Sequence, residues 1–107
     1  MARVIFTDLE LKNAFKSLSD EDPIKKALKR AFEDIENNFR IGRPVTKDVY
    51  NKKGIKSVLK KYGVDNLRIY NLPSAWRLIY SVSSDQIEII AIILDWMDHK
   101  EYDRLFK

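Results

Sequence analysis

Residues 66–82, "NLRIYNLPSAWRLIYSV", hold two β-prone runs, Asn66 to Pro73 and Ala75 to Val82, with only a short break at "PS" between them. A connection that short leaves no room for a crossover, so the runs must pair antiparallel. A third run, "IEIIAIIL" from Ile87 to Leu94, follows after "SSDQ" and extends the meander. It is apolar on both faces, which predicts a central strand, whereas the first two runs alternate and can leave one face open to solvent. Within the second run Trp76, Leu78, Tyr80 and Val82 share a face, and Arg77 projects from the opposite one. If Arg68 and Tyr70 share the face of Arg77, the three form a cluster of donors suited to a phosphate, because guanidinium forks bind phosphate oxygens bidentately. The competing expectation is that Arg77 pairs with a local acid and merely covers the sheet.

N-terminal to this meander the pattern is helical. "ARVIFT" is short and β-branched, and "TDLE" after it is a capping box, with Thr7 as the cap and Glu10 three positions on. Leu11, Ala14, Phe15 and Leu18 then repeat at helical spacing. "SDEDP" ends that helix; Asp22 is a good N-cap for the next one, and Pro23 is tolerated at its first position. In this second helix Ile24, Ala27, Leu28, Ala31, Phe32, Ile35 and Phe39 form a continuous stripe, closed by Gly42 and Pro44. The two helices are expected to pack as a hairpin against the sheet. Between the halves, "TKDVYNKKGIKSVLKKYG" predicts one short basic helix. Lys52, Lys56 and Lys60 lie on one side of it, either as phosphate contacts or as a solvated face. Helices followed by strands argue for an α+β fold in a single domain spanning 1–107: an N-terminal strand and helical hairpin packed on an antiparallel sheet, with a short C-terminal helix.

That last helix is "HKEYDRLF", which carries the only histidine. His99 and Tyr102 are three residues apart and so share a face. Histidine near its reference pKa of ~6.5 can give or take a proton at neutral pH; the plainer alternative is a surface helix anchored by Leu105 and Phe106. Trp76, Tyr80, Trp96 and Phe106 offer either an RNA-stacking platform or core, and Trp76 and Tyr80 fall on the face expected to be covered.

Composition narrows the function classes. With no cysteine and one histidine, a Cys/His zinc site cannot be assembled and thiol redox chemistry is excluded. No Walker, GxGxxG, HExxH or GxSxG sequence occurs. The longest apolar run, Ile89 to Leu94, is far short of a membrane span, and the N-terminus lacks a secretory core, so a cytoplasmic protein is expected. The charge is unevenly spread. Residues 1–43 hold nine Lys/Arg against eight Asp/Glu, residues 44–77 eight against two, and residues 78–107 three against six, or +1, +6 and −3. The basic middle suits a nucleic-acid or acidic-peptide contact.

Taken together, the strand, the helical hairpin, "LPSAWRLIY", "IEIIAIIL" and the closing "HKEYDRLF" resemble the RelE/ParE superfamily of toxins from type II toxin–antitoxin modules. The RelE branch implies a ribosome-dependent endoribonuclease that cleaves mRNA by attack of a ribose 2′-hydroxyl on the adjacent phosphorus, without metal or cofactor. Its implied partners are mRNA, the ribosome and a cognate antitoxin. By position, the resemblance assigns Arg77 and Arg68 to phosphate stabilisation, Tyr102 to stacking on or orienting the RNA, and His99 to acid/base chemistry. Tyr70 stands where that branch often carries a second lysine, and with Lys52, Lys56 and Lys60 it is expected to contact RNA. Asp95 and Asp98 are acidic where active members are often basic. The alternatives are a ParE-like poison of DNA gyrase and a toxin-derived protein that only binds a partner.

Overall fold

The computed structural model describes residues 2–84 and 88–107. In chain order the elements are β1 (Arg3–Phe6), α1 (Leu9–Ser17), α2 (Pro23–Asn37), β2 (Arg43–Pro44), α3 (Lys47–Tyr50), α4 (Lys53–Tyr62), β3 (Arg68–Asn71), β4 (Arg77–Ser84), β5 (Ile89–Met97) and α5 (His99–Phe106). They build an α+β domain on one five-stranded sheet of order β1-β5-β4-β3-β2. Strands β2, β3, β4 and β5 pair antiparallel with one another, as expected for the meander, but β1 runs parallel to β5, so the sheet is mixed. A parallel pair requires a long connection. Here everything between β1 and β5 supplies it.

Several boundaries differ from the sequence expectation for identifiable reasons. Thr7 is not the cap of α1: its N–H donates to Ile93 O (2.9 Å) and continues the β1 ladder, and Asp8 caps instead by accepting from Leu11 N at 2.8 Å. Asp22 and Pro23 begin α2 as expected, with Asp22 accepting from Ile24 N. The helix stops at Asn37, so Phe39 lies beyond it and Gly42 does not cap it. Gly42 is required for another reason: a Cβ there would lie 2.7 Å from the Tyr80 ring and hydroxyl. The basic segment forms two helices rather than one; Lys52 precedes α4, and Gly54 sits in its first turn, where glycine costs little. β5 continues three residues past Leu94, carrying Asp95, Trp96 and Met97 into the sheet. Of the turn expected at "SSDQ", Ser83 and Ser84 belong to β4, while Asp85, Gln86 and the following Ile87 lie outside the described residues.

Both faces of the sheet are covered. On one, Leu28, Ala31 and Ile35 of α2 pack against Leu78, Tyr80, Ala91 and Ile93. Phe6, Phe15 and Phe32 close the edge of that layer with ring centroids 5.3–5.6 Å apart. Full burial of a Leu or Ile side chain contributes about 1.5–3 kcal/mol, so α2 is the principal anchor of this face. Lys25 ties the helical hairpin together, its Nζ donating to Leu18 O (2.9 Å) and Asp20 (3.0 Å). That contact holds the Asp20 carboxyl below its usual pKa.

The expectation that the other face is open to solvent does not hold. Ile55 of α4 and Phe106 of α5 are buried there against Ile69, Ile79, Leu94 and Met97. The basic segment therefore has a structural duty: its apolar seam roofs the second face while its lysines other than Lys52 point outward. Opposite Ile79 and Tyr80 the register slips by one residue at Leu94, a β-bulge that turns Trp96 toward the α2 face and Met97 toward α5.

Candidate functional site

The β3–β4 register decides which polar groups meet. Asn71 pairs with Arg77, Tyr70 with Leu78 and Arg68 with Tyr80. Directly opposed residues project to the same face, so Arg68 and Tyr70 lie on the α2 side and Arg77 on the α5 side. The expected cluster of Arg68, Tyr70 and Arg77 is therefore split by the sheet. Arg68 is committed to the backbone, with Nε donating to Gly42 O (2.8 Å) and Nη2 to Arg40 O (3.0 Å). Tyr70 donates to the Asp34 carboxylate at 2.6 Å; burial first, and then this bond, push its pKa up to about 12. These two residues fasten β3 to the chain around the end of α2.

A different set gathers around Arg77. On its face the neighbours are Asn71 of β3, Arg43 of β2 and Tyr102 of α5. Arg43 bridges two of them, with Nη1 donating to Asn71 Oδ1 (2.9 Å) and Nη2 to the Tyr102 hydroxyl (3.0 Å). The Arg77 guanidinium lies over the Tyr102 ring, 5.4 Å from its centroid, and the opposite side of the site is closed by Tyr102 stacking on Phe106 at 4.7 Å. Tyr102 is thus held by Arg77 and Phe106 through its ring and by Arg43 through its oxygen. The stacking role expected of the ring is already filled inside the chain, and its hydroxyl is what the site presents. Arg77 Nη1 donates to Trp76 O (3.1 Å), while Arg77 Nε is the one buried side-chain polar atom without a hydrogen-bond partner among the described residues. An unpaired buried donor on a cation is costly, about 1–3 kcal/mol. An anion reaching this guanidinium would recover that cost.

His99 occupies the first position of α5, exposed and one turn before Tyr102, and makes no hydrogen bond or ion pair among the described residues. The acids around it are engaged elsewhere. Asp98 caps α5 through Glu101 N (3.0 Å). Asp95 is half-buried at the bulge beside Lys61 and Tyr62; burial raises its pKa, and the Trp96 N–H at 2.9 Å partly offsets this. Glu101 pairs with Arg104, which holds its carboxyl below the usual range.

The lysines divide as well. Lys56 and Lys60 are exposed along α4, whereas Lys52 is half-buried before the helix and donates to Lys107 O at 2.5 Å, tying α4 to α5. Arg43 escaped sequence reasoning because β2 is only two residues long and contains a proline, so no strand pattern announced its alternation. Among the described residues no helix is long and apolar enough to cross a membrane, and no group of three or more His, Asp or Glu could hold a metal ion. Compared with family models, curated proteins and solved structures, the chain matched none of them.

Proposed function

We propose that this chain is an RNA-cleaving toxin of the RelE type, neutralised by a cognate antitoxin and acting on mRNA at the ribosome. The observation that carries the proposal is the convergence of Arg43 and Arg77, from two strands, on the hydroxyl and ring of Tyr102, with Arg77 Nε left unpaired. Two fixed cations beside a hydroxyl suit a phosphodiester whose charge grows as a pentacoordinate phosphorane forms. In this reaction the ribose 2′-oxygen attacks phosphorus, the bond to the 5′-oxygen breaks, and a cyclic phosphate and a free 5′-hydroxyl result. A base takes the 2′-hydroxyl proton and an acid supplies one to the departing oxygen. Arg77 and Arg43 stabilise the phosphorane. Tyr102 and His99, one helical turn apart on α5, are the groups that exchange protons. The order of strand, helical hairpin, antiparallel meander and short closing helix supports the same family resemblance. Exposed Lys56 and Lys60 add a sequence-independent attraction for RNA phosphates.

Primer extension on cellular mRNA after induced expression tests the proposal. Cuts that depend on translation are expected. Growth arrest with intact transcripts and damaged DNA would replace this reading with that of a gyrase poison.

A further inference from the structure

Both tryptophans of the chain meet in a groove on the α2 side of the sheet, behind the site of Arg77. We infer that this groove is a nucleobase subsite, taking one unstacked base of the single-stranded RNA whose phosphate is held at Arg77; the inference rests on the RNA reading above.

The groove measures about 410 Å³, within the roughly 300–1,000 Å³ typical of small-ligand sites. It is lined by Ile24 and Ala27 of α2, Pro73 and Ser74 of the β3–β4 connection, and Trp76 and Trp96. Neither indole N–H is hydrogen-bonded among the described residues, and neither is a buried orphan. Both donors can therefore be reached from outside. With the Ser74 hydroxyl and the Asp22 carboxylate they provide what a base edge needs, donors and an acceptor around aromatic surface.

Location ties the groove to the phosphate site. Trp76 immediately precedes Arg77, and the two side chains leave the chain on opposite faces of the sheet. Trp96 and Met97 repeat that alternation on β5, opposite Leu78 and Arg77. A strand of RNA passing over the tip of the β3–β4 hairpin meets the arginines on one side and the indoles on the other. The connection between them is under strain, because Ser74 and Ala75 both hold positive φ, 59° and 63°. Such conformations cost free energy in non-glycine residues and gather where a side chain must be aimed.

The experiment uses the full chain and a labelled single-stranded octaribonucleotide, reading RNA binding by anisotropy and groove occupancy by tryptophan emission. Binding is expected to quench the emission, and Trp76→Leu to weaken binding roughly tenfold, within the range for loss of one stacked base. Trp76→Tyr, which keeps a ring, restores most of that loss. Ala27→Gln fills the groove without touching either tryptophan and weakens binding in the same way, which keeps the test decisive should Trp76→Leu fail to fold. RNA that binds without quenching, and equally well to the Ala27→Gln variant, overturns the inference while leaving the RNA reading intact; the groove would then suit an apolar protein segment. Absence of RNA binding by anisotropy likewise overturns the inference, and the RNA reading is then decided by the translation-dependent cuts in primer extension.

Discussion

Substituting alanine for Gly42 tests the packing that positions Arg43. Gly63 is the only glycine with positive φ, so alanine at 42 is not opposed by backbone conformation. It is opposed by space. The new Cβ would stand 2.7 Å from Tyr80 Cε1, 2.7 Å from the Tyr80 hydroxyl and 2.9 Å from Ile69 O, and Tyr80 is fully buried and cannot swing away. The Tyr80 hydroxyl accepts from Gly42 N (2.9 Å) and donates to Phe39 O (2.8 Å), so displacing the ring stretches both bonds. Overpacking costs about 1–3 kcal/mol and a lost hydrogen bond about 1 kcal/mol, which together predict roughly 2–4 kcal/mol. With a urea m-value of about 2 kcal/mol/M, the denaturation midpoint should fall by ~1–2 M. Tyr80→Phe removes the hydroxyl from the clash, so the double variant should lose less than the sum of the two single losses. A Gly42→Ala protein within about 0.5 kcal/mol of the parent, or a strictly additive double variant, would refute the packing argument.

Three further outcomes follow from individual contacts. Ala75→Gly should raise the melting temperature, since relief of a left-handed non-glycine residue, about 1 kcal/mol, exceeds the added unfolded-state entropy; a lower melting temperature would show that φ at Ala75 is unstrained. Asp95 has a folded-state pKa raised above 3.8 by burial, so it favours folding when protonated and that contribution is lost as pH rises through the folded value. Asp95→Asn should therefore stabilise the protein at neutral pH, with the gain vanishing in melting curves taken below about pH 3.8. Tyr70→Phe should remove a phenolate transition near pH 12 from a spectrophotometric titration and cost about 1 kcal/mol of stability, while leaving mRNA cleavage unchanged because Tyr70 faces away from Arg77.

How far the sequence could be read follows from which interactions are local. The stripe of α2 with Asp22 and Pro23, the antiparallel meander and the short C-terminal helix are all set by neighbours a few residues apart, and each is present. The site was less legible because it depends on register. The turn between Asn71 and Arg77 fixes which residues oppose one another, and a slip of one residue would send Arg68 and Tyr70 to the other face. Arg43 was hidden by the brevity of β2, and the partnership of β1 with β5 spans nearly the whole chain. The roof over the second face was misjudged for a related reason. The apolar positions of α4 are few, and Ile55 alone is completely buried in it; its importance appears only once Phe106 is seen beside it.

The central claim is that the cluster of Arg43, Arg77 and Tyr102 acts on RNA. The most direct measurement is primer extension on mRNA from cells expressing the parent, Arg77→Gln or Tyr70→Phe chains at equal levels. Translation-dependent cuts are predicted for the parent and Tyr70→Phe and none for Arg77→Gln. Cuts that persist undiminished in Arg77→Gln, or growth arrest by the parent without any cut, would contradict the account.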